Sequence, residues 1–210
     1  MRVQHYFDYK SPYAYLAQQD TFALLELPNV ELELIPYTLD IPAYLGSAEV
    51  SGDGEVLAEV RNAHQWRRVR YAYMDCRREA NRRGVTVRGP RKIFDSTLAH
   101  KAFLFVAERG DERQTRDFHM RVFEKFWRRE LDIEQVEVMA AQIVATGIDA
   151  AEFEAFAAGA GEARRQALQT DAETNGVFGV PSYLLDGELY WGTERLERVL
   201  EHIRATPAPA

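Results

Sequence analysis

The tightest constraint on this 210-residue chain is the stretch Phe7-Asp8-Tyr9-Lys10-Ser11-Pro12-Tyr13-Ala14-Tyr15-Leu16. Before it, Val3 to Phe7 reads as a short buried strand. After it, Tyr13, Leu16, Ala17, Leu24 and Leu27 fall close to one face of a helix over 12–26. Ser11 is the expected N-cap, where a hydroxyl accepts a bond from a free backbone N–H. Pro12 suits the first helical position, which needs no N–H and has its φ already set. A strand running straight into a capped helix is expected to leave one outward-facing hydroxyl at the positive end of a helix, a place to hold an anion. Most Ser-Pro pairs only start a helix, so the stretch alone decides nothing about chemistry.

A second stretch adds to it. In Gly176-Val177-Phe178-Gly179-Val180-Pro181-Ser182-Tyr183-Leu184-Leu185-Asp186-Gly187, Val-Pro leads into a strand and Asp-Gly then makes a hairpin turn. Val30-Glu31-Leu32-Glu33-Leu34 alternates apolar and acidic residues, the pattern of a strand with one wet face, and Ile35-Pro36 is expected to end it. With the first strand and helix it makes a βαβ unit, hence a parallel pair.

Between the two stretches the chain reads as mostly helical. Gly46, Ser47, Ser51, Gly52 and Gly54 mark a loop, and residues 56–83 are helical by spacing, with Trp66, Val69, Tyr73, Cys76 and Ala80 as the inner stripe. Asp95-Ser96 is expected to cap a helix to about Glu108 with Leu98, Ala99, Ala102 and Val106 inward. Phe118, Val122 and Phe126 repeat on the next one. Asp132 to Gln135 and Asp149 to Glu152 resemble capping boxes, and Gly147 stops the first of those helices. A further helix spans about Gly161 to Asn175. After the hairpin, Leu196, Val199, Leu200 and Ile203 line a terminal helix, and Thr206-Pro207-Ala208-Pro209-Ala210 reads as a frayed tail. The order is βαβ, helices, then αββα. An insertion of that size is expected to pack as its own subdomain, giving 1–45 with 162–210 as one domain and 46–161 as an all-helical second.

Composition narrows the function classes. A net charge of −7 argues against a nucleic-acid binder, because phosphate neutralisation needs excess Lys and Arg. No apolar run approaches the roughly 20 residues that span a bilayer. The start, Met1-Arg2-Val3-Gln4-His5-Tyr6, lacks the apolar core of a secretory signal, so a cytoplasmic location is expected. Cys76 is the only cysteine, which excludes an intrachain disulfide and dithiol exchange by the chain's own side chains. On its helical stripe it reads as a buried, inert thiol. His5, His64, His119 and His202 show no ligand spacing and His100 reads as a surface residue, so no metal is expected.

Together the two stretches resemble the thioredoxin fold, whose cis-proline loop faces the start of its first long helix. Nearly the whole chain looks like the DsbA-like thioredoxin superfamily, and within it is most similar to 2-hydroxychromene-2-carboxylate isomerases and kappa-class glutathione transferases. The most specific pieces are Phe7 to Tyr13, Gly176 to Pro181, and Gly187-Glu188-Leu189-Tyr190-Trp191-Gly192-Thr193-Glu194-Arg195-Leu196, with weaker support from Tyr71 to Ala80. The fold implied is an α/β thioredoxin-like one with a large inserted helical subdomain.

The resemblance also implies a cofactor, glutathione, which supplies the thiol that this chain lacks. Ser11 stands where redox relatives keep their first cysteine, and there it would donate a hydrogen bond to the glutathione sulfur. A thiolate is favoured by nearby donors and by a helix N-terminus. The resemblance places Val180 and Pro181 against the cysteinyl part as an added strand. Thr193 and Glu194 are expected to begin the last helix, with Thr193 as its N-cap. The resemblance places them at the γ-glutamyl carboxylate and ammonium, with Pro12, Ser47 and Arg68 as further binding residues. Arg68 aligns with a lysine that the family uses near its ligand. Ser47 stands where the family usually has Asn, and Thr193-Glu194 where it has Asn or Ser followed by Asp. The Ile93-Phe94 segment is a poor match to the family's Phe-Pro loop, and Ser96 to Ala102 looks more like DsbA-type oxidoreductases.

The activity implied is addition of the glutathione thiolate to a small aromatic or conjugated substrate, as in an isomerase. The expected apolar wall is Tyr13, Tyr15, Trp66 and Trp127, residues that equally suit a core. Two alternatives stay open: a kappa-type transferase or peroxidase, and a cysteine-less DsbA-like protein that binds peptides without catalysis. A homodimer is an expectation of the family resemblance alone.

Overall fold

The structure is a computed structural model that describes residues 1–53 and 55–206. Gly54 and the rest of the expected tail, 207–210, lie outside the described residues. A four-stranded sheet in the order β2-β1-β5-β6 carries the architecture. The central strand β1 (Arg2–Phe7) runs parallel to β2 (Glu31–Pro36) and antiparallel to β5 (Ser182–Leu185), which pairs with β6 (Glu188–Trp191). The helix α1 (Pro12–Phe22), extended by a 3-10 turn at Ala23–Glu26, makes the expected crossover from β1 to β2. Strand β2 continues through Ile35 and Pro36, past the expected end, since both pair with β1. Asp186 and Gly187 close the β5–β6 hairpin with φ of 51° and 81°, values that Gly adopts freely and that match the strand twist.

The insertion, which helix α2 (Ile41–Leu45) precedes, holds α3 (Ala63–Arg83), α4 (Thr97–Arg109), α5 (Glu112–Trp127), α6 (Val136–Val144) and α7 (Phe153–Ala158). It is not all helix. Ser47–Val50 and Val56–Val60 form an antiparallel hairpin, β3 and β4, where the spacing predicted a loop and the first turn of a long helix. Val56, Leu57 and Val60 are exposed, so their apolar character could not report a buried helical stripe. The helix starts later, at a reciprocal capping box between Asn62 and Gln65, and Gly84 ends it at φ 68°. Of the expected stripe Val69, Cys76 and Ala80 are buried, while Trp66 and Tyr73 are half-buried. A second capping box joins Asp111 and Gln114. The two boxes read from the sequence are instead local turns: Asp132 accepts from the Glu134 N–H and Asp149 from the Ala151 N–H, ahead of helices that begin at Val136 and Phe153.

The last helices are α8 (Ala160–Thr174) and α9 (Leu196–Ala205), the latter preceded by a 3-10 turn at Thr193–Arg195. Val3, Leu24, Tyr183, Leu185, Leu196 and Val199 form one small core. The larger core runs from Tyr6, Phe7 and Tyr9 into Phe103, Phe123 and Trp127, across the expected division between 1–45 and 46–161. The Phe7 ring meets the His119 ring at 4.3 Å and the Phe103 ring at 5.0 Å, both edge-on. Trp127 Nε1–H donates to Tyr9 O at 3.1 Å, tying the insertion to the end of β1. No helix among the described residues is long and apolar enough to cross a membrane.

Candidate functional site

Three segments meet at the start of α1. Ser11 caps the helix: its extended backbone (φ −94°, ψ 115°) turns the chain out of β1, and its Oγ accepts from the Ala14 N–H at 3.2 Å. Opposite stands the Val180-Pro181 bond, which is cis. The Ser11 hydroxyl points at Val180 O across 3.5 Å, too long for a strong bond, so its proton remains available to a better acceptor. The third segment is Gly192-Thr193-Glu194. Gly192 N–H donates to Pro181 O at 2.9 Å, and the Thr193 hydroxyl donates to Tyr13 O at 3.4 Å. Gly192 has φ 110°, and a Cβ there would lie 2.7 Å from the Glu194 carboxylate.

Ser11, Pro12, Val180, Pro181, Thr193 and Glu194 thus lie on three adjoining segments. Two details differ. Ser11 is only 5% exposed rather than outward-facing, because the cis-proline loop closes over it. Thr193 caps no α-helix and opens a 3-10 turn instead. Ser47 lies on β3 and Arg68 on the exposed face of α3, and among the described residues no hydrogen bond or ion pair joins either to this group. Arg68 lies within electrostatic reach of Tyr44: burial and then Asp8 push that phenol up to about 12, and Arg68 pulls it back. Of the expected apolar wall, Tyr15 and Trp127 are core residues, 4% and 0% exposed. Tyr13 is half-buried and donates to Asp75 at 3.1 Å, while Trp66 donates to Glu59 at 2.8 Å.

Directly beneath the site lies a group that the sequence reading missed. Asp8 is fully buried; it accepts from the Lys10 N–H at 3.1 Å and the Leu39 N–H at 2.8 Å. Lys10 Nζ stands 3.6 Å from it and His100 Nε2 3.3 Å. Burial alone would raise the Asp8 carboxyl, but His100, Lys10 and the Leu39 N–H outweigh it and hold the group down at about 2. His100 is therefore not a surface residue. It is fully buried, with Nδ1 3.0 Å from the Thr38 hydroxyl. The helix α4 is buried over Ala99, His100 and Ala102–Val106, so its period marks no wet face on which to place a histidine. The one available signal was Asp8 itself, an acid at the end of a buried strand.

Asp8 anchors both the turn into Ser11, whose N–H donates to Asp8 O at 3.0 Å, and the segment after β2. Further in, Tyr9 OH, His119, Gln18 and His5 form a buried chain with contacts of 3.2, 2.8 and 3.2 Å. Burial keeps both imidazoles neutral, His5 down at about 3 and His119 well below the usual histidine range. Cys76 is buried, and its thiol is pushed up to about 12, chiefly by that burial. Among the described residues no group of three or more His, Cys, Asp or Glu side chains is placed to hold a metal ion.

Known proteins share this fold. A family model described as a DSBA-like thioredoxin domain matches residues 2–204. The chain is 27% identical over 198 residues to a 2-hydroxychromene-2-carboxylate isomerase from Sphingobium xenophagum, an alignment that covers 93% of this chain and 94% of that protein. A solved 2-hydroxychromene-2-carboxylate isomerase has the same fold, with a TM-score of 0.73 at 22% identity over 97% of this chain and 95% of that one. So does the cytosolic disulfide reductase DsbM from Pseudomonas aeruginosa, solved with GSH, with a TM-score of 0.65 at 14% identity over 97% of this chain and 100% of that one. A strand entering a capped helix opposite a cis-proline loop, matched by that model along almost the full length, places this chain in the DsbA-like thioredoxin domain family.

Proposed function

We propose that this protein is a glutathione-dependent isomerase of the 2-hydroxychromene-2-carboxylate isomerase type. One observation carries the reading: a serine hydroxyl with an uncommitted proton caps α1 and faces the carbonyl before the cis-proline. The chain's own thiol is buried and protonated elsewhere, so a sulfur at that point must come from a ligand. The isomerase relative and the DsbM structure solved with GSH support that choice of chemistry and of ligand.

The residues present suit a thiol-bearing tripeptide. The sheet ladder on β5 begins only at Ser182, and the Val180 N–H has no hydrogen-bond partner among the described residues. With its carbonyl it offers the donor and acceptor that an added strand needs. Tyr13 N–H sits in the first turn of α1, where helix geometry provides no acceptor, and the helix end favours negative charge. The Ser11 hydroxyl donates to that charge. Thr193 and Glu194, joined to the same loop through Gly192 and Pro181, supply a hydroxyl and a carboxylate for the γ-glutamyl end. Ser47 and Arg68 belong to the site only if β3 and α3 approach it on binding.

Glutathione, when bound, would supply a thiolate nucleophile able to add to a conjugated carbon and be eliminated again, with no net oxidation. The chain's part is to hold the sulfur ionised, to orient it and to keep water from it, which the low exposure of Ser11 favours. Calorimetry with glutathione, followed by product analysis with 2-hydroxychromene-2-carboxylate, tests the reading. Binding in the micromolar to millimolar range and glutathione-dependent isomerisation are expected. No binding at millimolar glutathione would remove the reading, and a stable conjugate as the product would favour a kappa-type transferase.

A further inference from the structure

Two large rings lie open to solvent on the segments that carry Val180-Pro181 and Gly192, without a task in holding glutathione. Phe178 is 61% exposed and Trp191 52% exposed. Their centroids are 4.9 Å apart at 56°, so they form a shallow V rather than covering each other. They are fixed in place. Trp191 ends β6 paired with Ser182, and the next residue, Gly192, bonds back to Pro181 O. The indole lies directly on the loop backbone at Gly179, where a Cβ would be 2.7 Å from Nε1. Phe178 is two residues from Val180, a span of at most about 7 Å in extended chain. Exposed aromatic surface gains free energy when a flat apolar partner covers it, and a held pair beside a polar site marks a ligand-binding surface.

We propose that Phe178 and Trp191 form the platform on which the aromatic ring of the acceptor substrate lies, next to the sulfur position at Ser11. The assignment rests on the glutathione reading for the identity of the acceptor. Glutathione contains no ring and is accounted for by Ser11, Val180, Thr193 and Glu194, whereas a planar conjugated acid presents the face these rings match. Phe178 and Trp191 are thus specificity-determining residues that bind the acceptor and take no part in ionising the thiol.

The test separates the two readings. Cinnamate, a planar conjugated acid, is titrated into the full chain without glutathione while the indole N–H resonances are followed, Trp191 being assigned by its loss in Trp191→Phe. The Trp191 signal is expected to move with cinnamate and to ignore hexanoate, while the signal of buried Trp127 stays still. Phe178→Ala, at an exposed position, is expected to weaken cinnamate binding and to raise KM for 2-hydroxychromene-2-carboxylate about tenfold, with glutathione affinity unchanged. A Trp191 shift in a protein that binds no glutathione leaves the platform standing and removes the glutathione reading. An unmoved Trp191 signal at millimolar cinnamate, or unchanged cinnamate affinity and KM in a folded Phe178→Ala protein, overturns the platform.

Discussion

Ser11 serves two purposes, and the two are separable. As the cap of α1 its oxygen accepts from Ala14 N–H, and loss of such a cap costs about 1 kcal/mol of stability. As a donor its proton has no good acceptor in the protein itself, since Val180 O is 3.5 Å away. Ser11→Ala is therefore expected to fold, to melt slightly earlier, and to lower glutathione-dependent turnover about 10- to 100-fold, the worth of one hydrogen bond to a charge. Steady-state kinetics beside a melting curve check both effects. The buried histidines give a pH signature. Below about 6.5 the unfolded chain takes up protons at residues 5 and 119 that the folded chain refuses, so stability falls as pH drops from about 6.5 toward about 3, by up to about 1.4 kcal/mol per unit for each imidazole. Asp8 adds a later loss. Its depressed carboxyl stabilises the fold above about 4, and that contribution disappears as pH falls through about 2. Urea melts between pH 7 and pH 4 should show the histidine slope, and a flat profile would contradict the burial of both rings.

At the scale of elements, the parts read correctly from sequence are those whose signal is local. Ser11-Pro12 and Asp186-Gly187 each state a backbone conformation in two residues, and the structure has both. The cis-proline loop opposite Ser11 came from the family resemblance, because no spacing rule brings residue 180 to residue 11. What stayed hidden depends on contacts distant in sequence. The hairpin β3–β4 carries exposed valines and a leucine that imitate a helix stripe, and His100 is buried by the end of β1 rather than by its own helix. Gly46 at the base of that hairpin has φ 62°, and a Cβ there would lie 1.9 Å from Val60 O. Gly46→Ala must therefore push β4 aside. Faster amide exchange over residues 47–60, with α4 and α5 unchanged, is the expected result, because the hairpin stands outside the main core.

The whole molecule puts its only cysteine out of reach and leaves a hydroxyl where a sulfur would act. Cys76 lies 0% exposed in the core that joins sheet and insertion, and burial holds its thiol protonated. Native protein is expected to leave a thiol reagent unreacted at mildly alkaline pH and to consume one equivalent after unfolding in guanidinium. The same core is continuous from β1 to α5, so motion that opens the Ser11 site is expected in the cis-proline loop rather than between two rigid halves. The most direct measurement of the central claim is the ultraviolet absorbance of the glutathione thiolate, titrated against pH in the bound complex, for the native chain and for Ser11→Ala. The account predicts a bound thiol ionised near neutral pH in the native protein and a return toward the free thiol's value in the variant. A bound thiol that titrates as free glutathione does, with or without the serine, would contradict it.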